Sequence, residues 1–110
     1  MLNKIGFFQL DNLISNRVPF MFYNMSSSLA DWYNSVNRLH VQNYEKLVKE
    51  SDVINDLTQN KVPKDYAIVL LCPDGHTSLK LYAELEKLAY TNVYVVNGGY
   101  QHIVTERSQI

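Results

Sequence analysis

A chain of 110 residues has room for one domain, and with 46% hydrophobic and 19% charged side chains it can bury a core of its own. A formal net charge of −1, with Lys and Arg scattered, excludes the basic stripe that nucleic acid demands; no apolar run approaches the roughly 18 residues of a membrane-spanning helix. The single cysteine excludes an internal disulfide, and with the three histidines it makes no metal-ligand spacing.

Met1 to Leu10 is too short an apolar segment for a secretory signal, which sets a cytoplasmic expectation. Pro19-Phe20-Met21-Phe22-Tyr23 is apolar without interruption and predicts a buried strand over 20–24. Ser26-Ser27-Ser28 reads as a helix cap, because serine oxygens accept the N–H groups of a first turn. Leu29, Trp32, Tyr33 and Val36 then follow at helical spacing. Arg38-Leu39-His40-Val41 reads as a short strand. Tyr44, Leu47 and Val48 open a helical stripe that runs on through Ile54 and Leu57, with a candidate break at Ser51. Residues 60–65, with Pro63, read as a loop.

Residues 66–71 form the clearest strand, apolar at every position and therefore central in its sheet. The turn Pro73-Asp74-Gly75-His76-Thr77-Ser78 leads into a helix over 77–89 with Leu81, Tyr82, Leu85 and Leu88 inward. A strand over 93–96, a turn at Asn97-Gly98-Gly99 and a short closing helix or tail complete the chain. Strands alternating with helices predict one α/β domain over 1–110 with a largely parallel sheet.

In open α/β sheets, sites gather at the carboxyl ends of strands, and Cys72 stands at such an end. A short loop running from it over a helix N-terminus points backbone N–H groups inward and favours an anion, of which a thiolate is one. Gly75 lets that loop turn, and Thr77 and Ser78 supply hydroxyl donors for a persulfide or a bound oxyanion.

The segment from Leu71 to Ser78 resembles the active-site loop of rhodanese-like sulfurtransferases. That family places a cysteine after a central strand, a glycine three positions on, and a small hydroxyl or basic residue at the loop's end. The stretch from Leu85 to Tyr100, with Asn97-Gly98-Gly99, is similar to the family's helix, strand and Gly-Gly turn. In the first half, Asn24-Met25-Ser26 stands where the family has an Asp-Val-Arg pattern, and Asp31-Trp32 resembles its acidic-aromatic pair.

The resemblance implies a three-layer α/β fold, a five-stranded and mainly parallel sheet flanked by helices, with the strands near residues 4–8, 20–24, 38–41, 66–71 and 93–96. It implies a sulfurtransferase that passes sulfane sulfur through a persulfide on Cys72. Pro73, Asp74, Gly75, His76, Thr77 and Ser78 are then the substrate- and anion-binding loop, with Cys72 at the bottom of a shallow pocket. No cofactor and no metal are implied. The expected partners are a small sulfur donor and a thiol or protein acceptor, met by a monomer that binds neither nucleic acid nor membrane. The loop carries no Arg or Lys, Asp74 adds a negative charge, and Pro73 removes one N–H. Those departures define the alternative: a catalytically weak or inactive rhodanese-like binding or regulatory module with an inert Cys72. A third reading, phosphatase activity on a related fold, is weakly supported, because phosphatase loops need one more residue and an Arg to clamp the phosphate, and position 78 is serine.

Overall fold

The computed structural model describes residues 3–16 and 18–108. The strands are β1 (Asn3–Ile5), β2 (Met21–Asn24), β3 (Glu45–Leu47), β4 (Ile68–Leu71) and β5 (Val93–Val96). They form one sheet in the order β1-β5-β4-β2-β3, parallel at every pairing, with β4 in the centre. The helices are α1 (Phe7–Ser15), α2 (Ser35–Tyr44), α3 (Glu50–Gln59), α4 (His76–Lys87) and α5 (Gly99–Ser108).

Strand alternation divides the core into two layers. Phe22, Val69, Leu71 and Val96 face α1, α2 and α5, which bury Phe7, Leu10, Ile14, Val41 and Ile103 against them. Tyr23, Ile68, Leu70 and Val95 face α3 and α4, which contribute Val53, Leu57, Leu81 and Leu85. All four residues of β4 are fully buried, as a strand covered on both faces requires. The sequence expectation of a three-layer fold holds, with the sheet parallel throughout.

The first half departs from expectation in four places. Residues 4–8 are only partly strand: the chain turns at Gly6 into α1, whose Phe7, Leu10 and Ile14 lie on one face. The Gly6 N–H is accepted by Gln9 Oε1 at 2.7 Å, and the Phe7 N–H by Glu106 Oε1, 3.3 Å away on α5. The Gln9 contact is local, but Gly6 offers no side-chain cap in return, and the Glu106 contact comes from the far end of the chain. Residues 38–41 are helix, not strand. His40 and Val41 are both buried, and adjacent burial suits a helix edge rather than a pleat. The third strand comes later, at 45–47, inside the stretch that reads as a helical stripe, and the helix begins only at Glu50. The serine run caps no α-helix. Ser28 Oγ accepts the Ala30 N–H at 3.1 Å above a single 3-10 turn over Ala30–Trp32.

In the second half, α4 starts and stops within two residues of its predicted bounds. Leu81 and Leu85 are inward and Tyr82 is half-buried, but Leu88 is exposed. The helix ends at Lys87, and Ala89 adopts a left-handed φ of 69° that swings Tyr90 into the core in place of Leu88. A half-buried polar cluster pins α3 to the sheet: Tyr23 donates to Asp56 Oδ2 at 2.6 Å, and Lys46 Nζ reaches the same carboxylate at 3.0 Å. Burial pushes the Asp56 carboxyl up, but the hydrogen bonds from Tyr23 and Lys46 outweigh it and hold it below the ordinary carboxylate range.

Candidate functional site

Cys72 follows β4 directly and continues its alternation, so its side chain belongs to the layer of Ile68 and Leu70 that α4 covers. The chain then turns through Pro73 and Asp74 to Gly75, which precedes α4 with φ 91°. That left-handed conformation aims two main-chain donors back at the thiol. The Gly75 N–H donates to Cys72 Sγ at 3.1 Å, and the Ser78 N–H donates to it at 3.3 Å. Both come from the start of α4, where the helix dipole favours negative charge. The arrangement suits a thiolate, or a sulfur anion one bond farther out.

The back of the loop is locked onto α5. The Tyr100 N–H donates to the Cys72 carbonyl at 2.8 Å, and the Gln101 N–H to the Pro73 carbonyl at 3.0 Å. Gly99 makes this approach possible: a Cβ there would stand 2.3 Å from the Cys72 carbonyl oxygen and 2.5 Å from the Gly75 nitrogen, and its φ is 70°. The Gly-Gly turn is therefore a packing surface for the loop as well as a reversal of the chain.

The predicted loop residues divide in two. Gly75 and Ser78 reach the sulfur. Pro73, Asp74 and His76 face solvent, and Thr77 is half-buried in the first turn of α4. Asp74 serves the loop itself: Oδ1 accepts the His76 N–H at 3.0 Å, and Oδ2 lies 3.2 Å from His76 Nδ1. The backbone hydrogen bond from His76 holds the Asp74 carboxyl below its ordinary range. The expected shallow pocket with Cys72 at its floor is corrected: the residue has 0% exposure.

A cleft of about 200 Å³ lies on the flank of this loop, lined by Asp74, Gly75, His76 and Asn97 and also by Lys4. Lys4 escaped the sequence reading. It reaches the loop only because β1 pairs with β5, opposite Val95, a contact that no local pattern announces. A larger apolar cleft of about 330 Å³, lined by Phe20, Met21, Tyr44 and Tyr66 among others, opens at the amino ends of β2 and β4, the other end of the sheet from Cys72.

Beside the cysteine loop, at the carboxyl end of β2, a carboxylate organises the chain. Asn24 is buried; its Nδ2 donates to Glu45 Oε2 at 2.9 Å and to the Ser27 carbonyl at 2.8 Å, and its Oδ1 accepts the Ser26 N–H at 2.8 Å. Glu45 also accepts from the Ser28 hydroxyl and from the Leu29 N–H. This network occupies the stretch where Asn24-Met25-Ser26 departs from the Asp-Val-Arg pattern. Met25 N–H donates to the Leu71 carbonyl at 2.7 Å and joins the two loops.

Residues 19–106 match the family described as Rhodanese-like domain. No curated protein matches the sequence. Among solved structures, a rhodanese-like domain protein from Staphylococcus aureus is similar at 18% identity and a TM-score of 0.64, over 93% of this chain and 91% of its own. A Staphylococcus saprophyticus protein is similar at 14% identity and TM-score 0.63, over 93% of both chains. The human single-domain sulfurtransferase TSTD1 is similar at 13% identity and TM-score 0.62, over 96% of this chain and 98% of its own. At these identities the structural likeness speaks for the fold.

Proposed function

The chain belongs to the rhodanese-like domain family, and from that premise we propose that it carries sulfane sulfur as a persulfide on Cys72. The observation that supports this reading is the pair of N–H donors on Cys72 Sγ. In the proposed first step the Cys72 thiolate attacks the outer sulfur of a donor X–S⁻. A new S–S bond forms, the X–S bond breaks, and X⁻ leaves with the electron pair. In the second step a nucleophile such as cyanide or an acceptor thiolate takes the outer sulfur, and the bond pair returns to Cys72 as thiolate. The loop amides stabilise the charge in each form. The donor is a small sulfur compound and the acceptor a thiol or a protein, met by a monomer in the cytoplasm, where a lone thiol stays reduced.

The burial of Cys72 favours one other reading, a binding or regulatory module in which the thiol is inert. Intact mass after incubation with a sulfur donor separates the two. The sulfur-carrier reading expects a gain of one sulfur atom on wild type and none on Cys72→Ser, with cyanide-dependent thiocyanate formation lost in the variant and the fold retained. Wild type without the adduct, or full turnover in Cys72→Ser, sinks it.

A further inference from the structure

In Asp74-Gly75 and in Asn97-Gly98 a glycine nitrogen follows a side chain whose Cγ it can attack. Glycine matters there because no Cβ shields the attacking nitrogen. The structure treats the two pairs differently. In the first, the Gly75 N–H is engaged with Cys72 Sγ at 3.1 Å, and the Asp74 carboxylate is engaged with His76. In the second, nothing is engaged. Among the described residues, neither the Gly98 N–H nor the Asn97 side-chain amide makes a hydrogen bond. Asn97 is exposed and lines the cleft that Lys4 also lines. Of the asparagines in the chain, it alone precedes a glycine. Asparagine is also a thermolabile residue, because its amide can leave as ammonia.

We propose that Asn97 deamidates spontaneously through a succinimide with the Gly98 nitrogen, and that the isoaspartate formed there frees the cysteine loop from α5. Solvent hydroxide takes the Gly98 amide proton, and the nitrogen bonds to Asn97 Cγ. A five-membered ring closes, favoured by proximity. The bond from Cγ to the side-chain nitrogen breaks, and ammonia leaves with a proton from water. Water then adds to the Asn97 main-chain carbonyl and breaks its bond to the Gly98 nitrogen. The chain now runs through Cβ and Cγ, one methylene longer, and the former main-chain carbonyl is a carboxylate. Water enters, ammonia leaves, and nothing is oxidised or reduced. The lengthened turn feeds straight into a backbone contact without slack. A Cβ on Gly99 would stand 2.3 Å from the Cys72 carbonyl oxygen, and one on Gly98 would stand 2.5 Å from His102 Cβ. The extra methylene therefore displaces the start of α5 and parts the Tyr100 and Gln101 N–H groups from the Cys72 and Pro73 carbonyls.

The test ages the folded, reduced protein in mildly alkaline buffer made with heavy-oxygen water, beside Asn97→Gln and fresh Asn97→Asp. Peptide mapping reads loss of each asparagine amide, uptake of heavy oxygen, and isoaspartate against aspartate. Amide hydrogen exchange reads the Tyr100 and Gln101 N–H groups. The expected result is that Asn97 converts before any other asparagine, takes up one heavy oxygen and becomes mainly isoaspartate, while Asp74 does not isomerise. In converted molecules the Tyr100 and Gln101 amides exchange roughly tenfold faster, as loss of their acceptors predicts. Asn97→Gln, whose ring would need six members, keeps its amide and its protection through the same ageing. Fresh Asn97→Asp, which adds the charge without the methylene, keeps its protection too. If Asn97 holds its amide while another asparagine converts, the site is overturned. Conversion with unchanged Tyr100 and Gln101 exchange overturns the release of the loop, and so does equal loss of protection in fresh Asn97→Asp. Neither readout involves sulfur chemistry, so the sulfur-carrier reading stands or falls separately.

Discussion

Two neighbouring loops at the carboxyl ends of β2 and β4 are built on opposite principles. The loop after β4 is held by main chain: Gly75 and Ser78 amides on the sulfur, and Tyr100 and Gln101 amides on the Cys72 and Pro73 carbonyls. The loop after β2 is held by side chains, with Glu45 and Asn24 gathering Ser26, Ser27, Ser28 and Leu29. A main-chain cradle tolerates changes of exposed side chain but not the addition of a Cβ where backbones touch. A carboxylate-centred loop has the reverse weakness, since one truncation takes the acceptor from buried Asn24 and Leu29 and from exposed Ser28 together. The cysteine loop therefore keeps a donor geometry suited to an anion even with Pro73, Asp74 and His76 outward and no Arg or Lys among them.

The sharpest way to break this contrast is Gly99→Ala. The new Cβ meets backbone at 2.3 Å and 2.5 Å with φ at 70°, so a loss of about 3–4 kcal/mol is expected, together with, under the sulfur-carrier reading, loss of sulfur loading at temperatures where the variant is still folded. Denaturant melts and intact mass check this, and an unchanged midpoint would mean that the two backbones can part freely. Glu45→Ala comes next. Stability should fall by about 2–3 kcal/mol, because Asn24 Nδ2, the Ser28 hydroxyl and the Leu29 N–H lose their acceptor. Sulfur loading per folded molecule should survive, and its disappearance would show that the two loops are coupled through Met25 and Leu71.

Tyr23→Phe carries the test down β2 to the strand's own side-chain anchor. Removing the hydroxyl that donates to Asp56 should cost about 1.5–2 kcal/mol at neutral pH. Burial first, and then the Asp56 hydrogen bond and charge, push the Tyr23 phenol far above its ordinary value. A raised folded value means that the phenol's contribution is complete below the unfolded value, about 10, and is lost as pH rises beyond it. Wild type should therefore lose stability faster than Tyr23→Phe above about pH 10, and parallel stability curves would remove the phenol from the account.

The smallest effect belongs to Asp74. Because Asp74 caps the first turn through the His76 N–H, Asp74→Asn keeps the cap and removes only the charge. Under the sulfur-carrier reading, KM for thiosulfate should fall about two- to threefold with kcat little changed, since an exposed like charge disfavours capture of a dianion. A KM that does not move would mean that the approach path avoids Asp74, for instance along the Lys4 side of the cleft.

The second half was readable because its signals are local. Residues 66–71 are apolar throughout, Leu81 and Leu85 repeat at helical spacing, and the cysteine-to-glycine loop is followed by a Gly-Gly turn. The first half misled because its elements are short and their partners distant. Arg38-Leu39-His40-Val41 looks extended in isolation, yet the chain is helical there and extended at 45–47, where β3 finds the edge of β2. α1 hides in the apolar stretch after Gly6 because its cap residue is a glycine without a capping side chain and part of its first turn is held by Glu106 from the last helix. Within the site, Cys72 and the turning role of Gly75 were legible from residue type and spacing. Burial of the thiol and the approach of Lys4 were not.

The sequence by itself determined an α/β fold, a central strand ending in the only cysteine, and a glycine-hinged turn into a helix. These follow from hydrophobic period and backbone permissiveness, both properties of a residue and its near neighbours. Only the tertiary structure decided which amides face the sulfur, that the thiol is closed off, and that Glu45 rather than a helix cap orders the serine run. Each depends on the parallel stacking of β2, β4 and β5, which brings together groups far apart along the chain.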